Sequence, residues 1–133
     1  MTRVSGLAEI VLWVRDMEAS LQFYRDRLGM EVISPPSLPN KFLRAAEGEH
    51  GIPEMIVLVP HPDSSHDFPR QKPLRVLHHM AFRLESPDYE ELEARLKADG
   101  VEVRSGVHPV LKGVRTFYCD DPDGNEVELI APA

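Results

Sequence analysis

Apolar and polar positions along the chain fall into two alternating patterns, and both occur twice. Residues 10–14 (Ile10-Val11-Leu12-Trp13-Val14) and 80–84 (Met80-Ala81-Phe82-Arg83-Leu84) have the period of a strand. In each case Ile10, Leu12 and Val14, or Met80, Phe82 and Leu84, form a wholly apolar face suited to packing on a helix. Helical spacing follows. Met17, Leu21, Tyr24 and Leu28 recur on one face after the first strand, and Tyr89, Leu92 and Leu96 after the second. Asp16 and Ser86 are the expected N-caps, with Pro87 at the first helical position. Gly29 and Gly100 suit the left-handed position that ends a helix. Three further strands are expected after each helix, near 30–34, 41–46 and 54–60, and near 101–105, 113–119 and 125–131. Asp121-Pro122-Asp123-Gly124 supplies the turn between the last two. The pattern predicts an α+β domain over 1–133 made of two βαβββ modules, about 5–60 and 75–133. The polar, proline-rich stretch at about 61–74 is the linker.

The repeat also works as a ruler. Glu9 and His79 are 70 positions apart; Gly29 and Gly100, like Val32 and Val103, are 71 apart, because the second helix region holds one more residue. Carried forward, the ruler places Val57 on Glu128. The first and last strands of the modules therefore offer four equivalent positions, Glu9, Val57, His79 and Glu128. Three of the four are metal-ligand types standing in mostly apolar strands. Taken singly, a strand glutamate is expected in water and a lone histidine as a hydrogen-bonded core residue. Equivalence across a repeat makes a shared divalent-metal site the competing expectation.

Composition narrows the setting. Net charge is −7, which disfavours a nucleic-acid or anionic-membrane partner. Cys119 is the only cysteine, which excludes an internal disulfide and suits the reducing cytoplasm. No apolar run is long enough to span a membrane, and "EIVLWV" is followed at once by Arg15 and Asp16 instead of a cleavage site. Gly-rich phosphate loops, CxxC pairs and G-x-S-x-G motifs are absent from the sequence.

The repeated unit, together with "VRDMEASLQFYRDRLGMEV" and "DDPDGNEVELI", resembles the vicinal oxygen chelate superfamily. That superfamily includes glyoxalase I, extradiol ring-cleavage dioxygenases, methylmalonyl-CoA epimerase, and the fosfomycin and bleomycin resistance proteins. The resemblance covers nearly the whole chain. It implies two modules forming an incomplete barrel around a central cavity, and a divalent ion held by Glu9, His79 and Glu128. Val57 replaces a fourth protein ligand. Two carboxylates and one imidazole favour Fe²⁺ or Mn²⁺, with Zn²⁺ and Ni²⁺ as further candidates.

Within the superfamily, "LHHMAFRLES" and "RTFYCDDPDGNEVEL" resemble the extradiol dioxygenases. The resemblance implies that Tyr118, ten residues before Glu128, hydrogen-bonds a substrate oxygen, and that His108 handles protons. Glu9 stands where that family has a histidine. Three readings therefore compete: a dioxygenase acting on a small molecule with two adjacent oxygens, a glyoxalase- or epimerase-like lyase or isomerase, and a metal-free drug-binding protein with Trp13, Phe42 and Tyr118 as its aromatic surface. A homodimer is expected from the open sheet edges. His78 is expected on the face opposite His79, and His61 and His66 in the linker.

Overall fold

The computed structural model describes residues 2–133, in two compact units divided between His66 and Asp67. Each unit is one βαβββ module, in agreement with the sequence pattern. The first contains β1 (Glu9–Val14), α1 (Met17–Leu21), a π-helical turn over Gln22–Arg27, β2 (Glu31–Val32), β3 (Lys41–Glu49) and β4 (Ile52–Pro60). The second contains a 3₁₀ turn over Lys72–Leu74, β5 (Met80–Arg83), α2 (Ser86–Ala98), β6 (Arg104–Gly106), β7 (Val114–Asp120) and β8 (Glu126–Pro132).

The two sheets have the same topology, β1-β4-β3-β2 and β5-β8-β7-β6, and neither closes on itself. In each, the first strand runs parallel to the last, and the helix makes the crossover. Their registers verify the repeat ruler. Val57 lies opposite Val11 in the first sheet, and Glu128 lies opposite Ala81 in the second. Val11 and Ala81 are 70 positions apart and Val57 and Glu128 are 71 apart, the offsets read from the sequence.

In the first unit Leu12, Val14, Leu21, Phe23, Leu43, Ile56 and Leu58 are buried, whereas Val11 and Trp13 on the other face of β1 are exposed. The helix departs from the expected plain α-helix. Leu28 N–H donates to Phe23 O at 2.9 Å, five residues back, so its second half is π-helical. Phe23 and Tyr24 are consecutive and both fully buried, in edge-to-face contact at 4.9 Å. The wider turn lets two adjacent large rings point inward, where an α-helix would carry one of them toward solvent. Asp16 caps α1 as expected, its Oδ1 accepting from Ala19 N–H at 3.1 Å.

In the second unit α2 packs Tyr89, Leu92 and Leu96 inward, and Phe117, Val127 and Leu129 form the buried side of β7 and β8. Tyr89 meets Phe117 edge to face at 5.1 Å, and the Arg115 guanidinium lies over the Tyr89 ring at 4.3 Å. Ser86 is not the N-cap. It is already helical, with Glu85 in the cap position, and its hydroxyl donates to Pro132 O at 3.4 Å. Pro87 therefore sits one place later than expected, still within the first turn, where a missing N–H costs no helical bond. Cys119 is fully buried, and that burial pushes its thiol up to about 12. A thiol reagent at pH 8 should leave native Cys119 unmodified and label it only on unfolding. Rapid labelling of the folded chain would contradict this packing. Among the described residues, no helix is long and apolar enough to cross a membrane.

Candidate metal centre

Residues of β7 and the segment just before β5 surround the Glu128 carboxylate of β8. On β8, Val127 and Leu129 turn to the core, so Glu128 must take the opposite face. It does not reach water: the residue is 3% exposed. Opposite it on β7 is Tyr118, and Thr116 shares that face two residues away. Thr116 Oγ1 donates to Glu128 Oε2 at 2.7 Å. His79, just before β5, brings its Nε2 to 3.1 Å from Glu128 Oε1. The Tyr118 ring stands edge-on to His79 at 6.1 Å. Burial first, and then the Glu128 charge, push the Tyr118 phenol up from its ordinary value, so it remains a protonated donor at neutral pH.

Gly106 positions this tyrosine. A Cβ there would lie 2.2 Å from Tyr118 Cε2, so the ring rests directly on the glycine backbone. Gly106 is the last residue of β6, one position past the strand expected near 101–105, so the sequence pattern did not single it out.

The donor set fits a divalent ion. Two ligands at about 2.1 Å from one ion and at a right angle are separated by about 3.0 Å, the usual first-row geometry for N and O donors. The observed 3.1 Å between His79 Nε2 and Glu128 Oε1 matches that separation. Among the described residues no Lys or Arg pairs with Glu128. Its neighbours are instead the Thr116 hydroxyl and the His79 imidazole, a setting that can accept a cation.

A second trio, His78, His79 and Glu126, also brings one ligand atom each within 4.8 Å of the others. It is the weaker candidate, because both Glu126 oxygens are already engaged. Lys72 Nζ donates to Oε1, and Arg104 Nη2 to Oε2 at 3.0 Å. Burial pushes the Glu126 carboxyl up, but the hydrogen bonds and charges of Lys72 and Arg104 outweigh it and hold the group below its ordinary value. An ion there would have to displace both cations.

His78 is not simply on the face opposite His79. The two residues precede β5, so strand alternation does not govern them, and their Nδ1 atoms lie 2.7 Å apart. One nitrogen must carry the proton and the other accept it, which constrains the His79 ring through its far side. His108 lies between β6 and β7. Its Nδ1 accepts from Val110 N–H at 3.2 Å and Leu111 N–H at 2.9 Å, leaving Nε2 as the nitrogen available for proton exchange. His61 and His66 stack at 4.4 Å in the first unit, with Trp13 edge-on to His61 at 5.2 Å. Glu9 lies in the first unit, exposed on β1 and paired in register with Met55.

A family model described as "Glyoxalase/Bleomycin resistance protein/Dioxygenase superfamily" matches residues 6–129. Over 123 residues the chain is 32% identical to a catechol-2,3-dioxygenase of Bacillus subtilis (strain 168), covering 90% of this chain but 39% of that relative. It thus spans well under half of the dioxygenase. A metallothiol transferase FosB of Staphylococcus epidermidis is 24% identical over 126 residues, covering 95% of this chain and 81% of the relative. Among solved structures, the fosfomycin resistance protein FosX of Listeria monocytogenes superposes with a TM-score of 0.69 at 27% identity, covering 98% of this chain and 96% of that one.

Proposed function

The chain belongs to the glyoxalase/bleomycin resistance protein/dioxygenase superfamily, and on that premise we propose that it is a metal-dependent enzyme of the extradiol dioxygenase type, acting on a catechol-like small molecule. The observation that carries this reading is Tyr118, a neutral phenol opposite Glu128 in the strand register and edge-on to His79. A donor there can hold a substrate oxygen that lies next to the ligand pair.

In this reading His79 and Glu128 hold the ion, with Fe²⁺ or Mn²⁺ suited to the carboxylate-rich set. The repeat supplies the third ligand, since Glu9 occupies in the first module the place of His79 in the second. When bound, the ion supplies Lewis acidity toward two adjacent substrate oxygens and, as iron, electrons for oxygen chemistry. Thr116 keeps Glu128 Oε2 occupied, so Oε1 stays turned to His79. Tyr118 donates to one substrate oxygen and steadies the charge that grows on it. His108 exchanges a proton through Nε2, its Nδ1 being held by the loop.

Extradiol cleavage places both atoms of O₂ in the ring-opened product. The test is therefore oxygen uptake by anaerobically iron-loaded protein with a panel of catechols, together with a yellow product. Tyr118→Phe should slow kcat by about tenfold to a hundredfold with bound metal unchanged, since it removes one hydrogen bond to a charged oxygen and no ligand. Absence of oxygen uptake across the panel would reject the dioxygenase reading.

One observation favours a second reading. The metallothiol transferase match extends over most of that relative, whereas the dioxygenase match does not. The same ligands and Tyr118 would then activate an electrophile for attack by a thiol. Thiol consumption with fosfomycin under anaerobic Mn²⁺ conditions, without oxygen uptake on catechols, would establish it in place of the first.

A further inference from the structure

The second unit contains another concentration of charge, at the end of its sheet beyond Glu126. A cavity of about 230 Å³ is lined there by four cations, Arg70, Lys72, Arg75 and Arg104, and by the carboxylates Asp120 and Glu126. Two of the cations are neutralised in place. Lys72 bonds Glu126, and Arg104 Nη2 bonds Asp120 Oδ1 at 2.8 Å and Glu126 Oε2 at 3.0 Å.

The other two are not. Arg75 donates to Pro69 O and to Asn125 Oδ1, both at 2.7 Å. Both acceptors are neutral, so its side chain is held still while its charge stays uncompensated. Arg70 has no carboxylate partner among the described residues. The two guanidiniums nevertheless converge: Nη1 of each lies 3.3 Å from the point a Cβ on Gly124 would occupy. A glycine at that place leaves the space between them open. Like charges brought together in an otherwise acidic chain raise the free energy unless an anion lies between them. The N–H groups that the two guanidiniums leave free around one opening match a phosphate dianion in charge, whereas a single carboxylate leaves one guanidinium unmatched.

We propose that Arg70 and Arg75, converging over Gly124, form a binding site for a phosphate-type dianion, either inorganic phosphate or the phosphomonoester end of a small molecule. The site does not use the His79–Glu128 pair and requires no metal, although His78 lines the same cavity and lies 2.7 Å from His79.

The test is calorimetric titration of the full chain, treated with EDTA, at constant ionic strength. Inorganic phosphate should bind saturably with one site per chain, and acetate and chloride should not. Arg70→Ala and Arg75→Ala should each weaken phosphate by at least about tenfold, the effect of losing a charge-assisted hydrogen-bond pair. Arg70 is exposed and makes no bond that folding needs, so its variant keeps the test decisive if Arg75→Ala is unstable. His79→Ala should leave phosphate binding unchanged. Glycerol phosphate binding more tightly than phosphate identifies a phosphomonoester as the ligand, and the reverse order identifies the free ion. The proposal is overturned if phosphate does not bind, if acetate binds equally well, if Arg70→Ala binds phosphate as the parent does, or if His79→Ala abolishes binding.

Discussion

Titration of the His79→Ala variant with Mn²⁺ or anaerobic Fe²⁺ should show no tight site, with affinity reduced by more than about a hundredfold. Losing a group that only orients a ligand costs ten- to a hundredfold, and His79 is proposed as a ligand itself. Glu128→Ala should have a comparable effect, because it removes the buried carboxylate 3.1 Å from His79 Nε2. Thr116→Val provides the graded control. It retains both ligands and removes the hydroxyl that donates to Glu128 Oε2 at 2.7 Å, so affinity should fall about tenfold. The three variants together separate ligands from the groups that orient them. Unchanged Mn²⁺ affinity in His79→Ala would reject both the pairing with Glu128 and the trio with His78 and Glu126, since each needs that ring.

The second large effect is on stability. Asp121→Ala should lower the unfolding free energy in urea by about 3–6 kcal/mol, taking each hydrogen bond to a charged group at about 1.5–3 kcal/mol and allowing for partial rearrangement. Asp121 is buried and organises the β7–β8 turn from within. Its Oδ1 accepts from Asp123 N–H at 2.9 Å and Asn125 N–H at 2.8 Å, and its Oδ2 from Asn125 Nδ2 at 2.9 Å. Gly124 completes the turn at φ +83°, where a side chain is strained. Such a loss is a large part of the stability of an ordinary domain. Asp121→Asn, which keeps an acceptor at Oδ1, should retain most of it. The turn also sets the register that places Tyr118 opposite Glu128. A slip of one residue would send Glu128 to the helix side, so a partly folded Asp121→Ala protein should also lose metal affinity. A variant as stable as the parent would show that the hairpin does not depend on this carboxylate.

Much of this architecture was legible without coordinates. Strand alternation, helical spacing and helix-ending glycines are local signals, and a duplicated module presents each of them twice. The repeat offsets even anticipated that Glu128 would lie opposite Ala81 as Val57 lies opposite Val11. The exposure of Val11 and Trp13 and the burial of Leu12 and Val14 follow from period two alone.

Other features depended on groups distant in sequence. The π-helical turn arises where two adjacent aromatics both have room inside the core, which helical periodicity does not encode. Ser86 looked like a cap but entered the helix, its hydroxyl donating instead to Pro132 at the far end of β8. His78 and His79 sit just before β5, so the alternation rule stopped one residue too soon to place them. Strand alternation alone does not separate Glu126 from Glu128, two glutamates on one face; the repeat ruler singled out Glu128, but not what surrounds either of them. Lys72 from the linker and Arg104 from β6 occupy the first, whereas Thr116, Tyr118 and His79 surround the second. The sequence by itself determined which side chains share a face, because backbone geometry repeats every two or 3.6 residues. Only the tertiary structure decided which carboxylate is paired with Lys72 and Arg104 and which is met by a hydroxyl and an imidazole, because charge compensation acts through space between residues more than twenty positions apart.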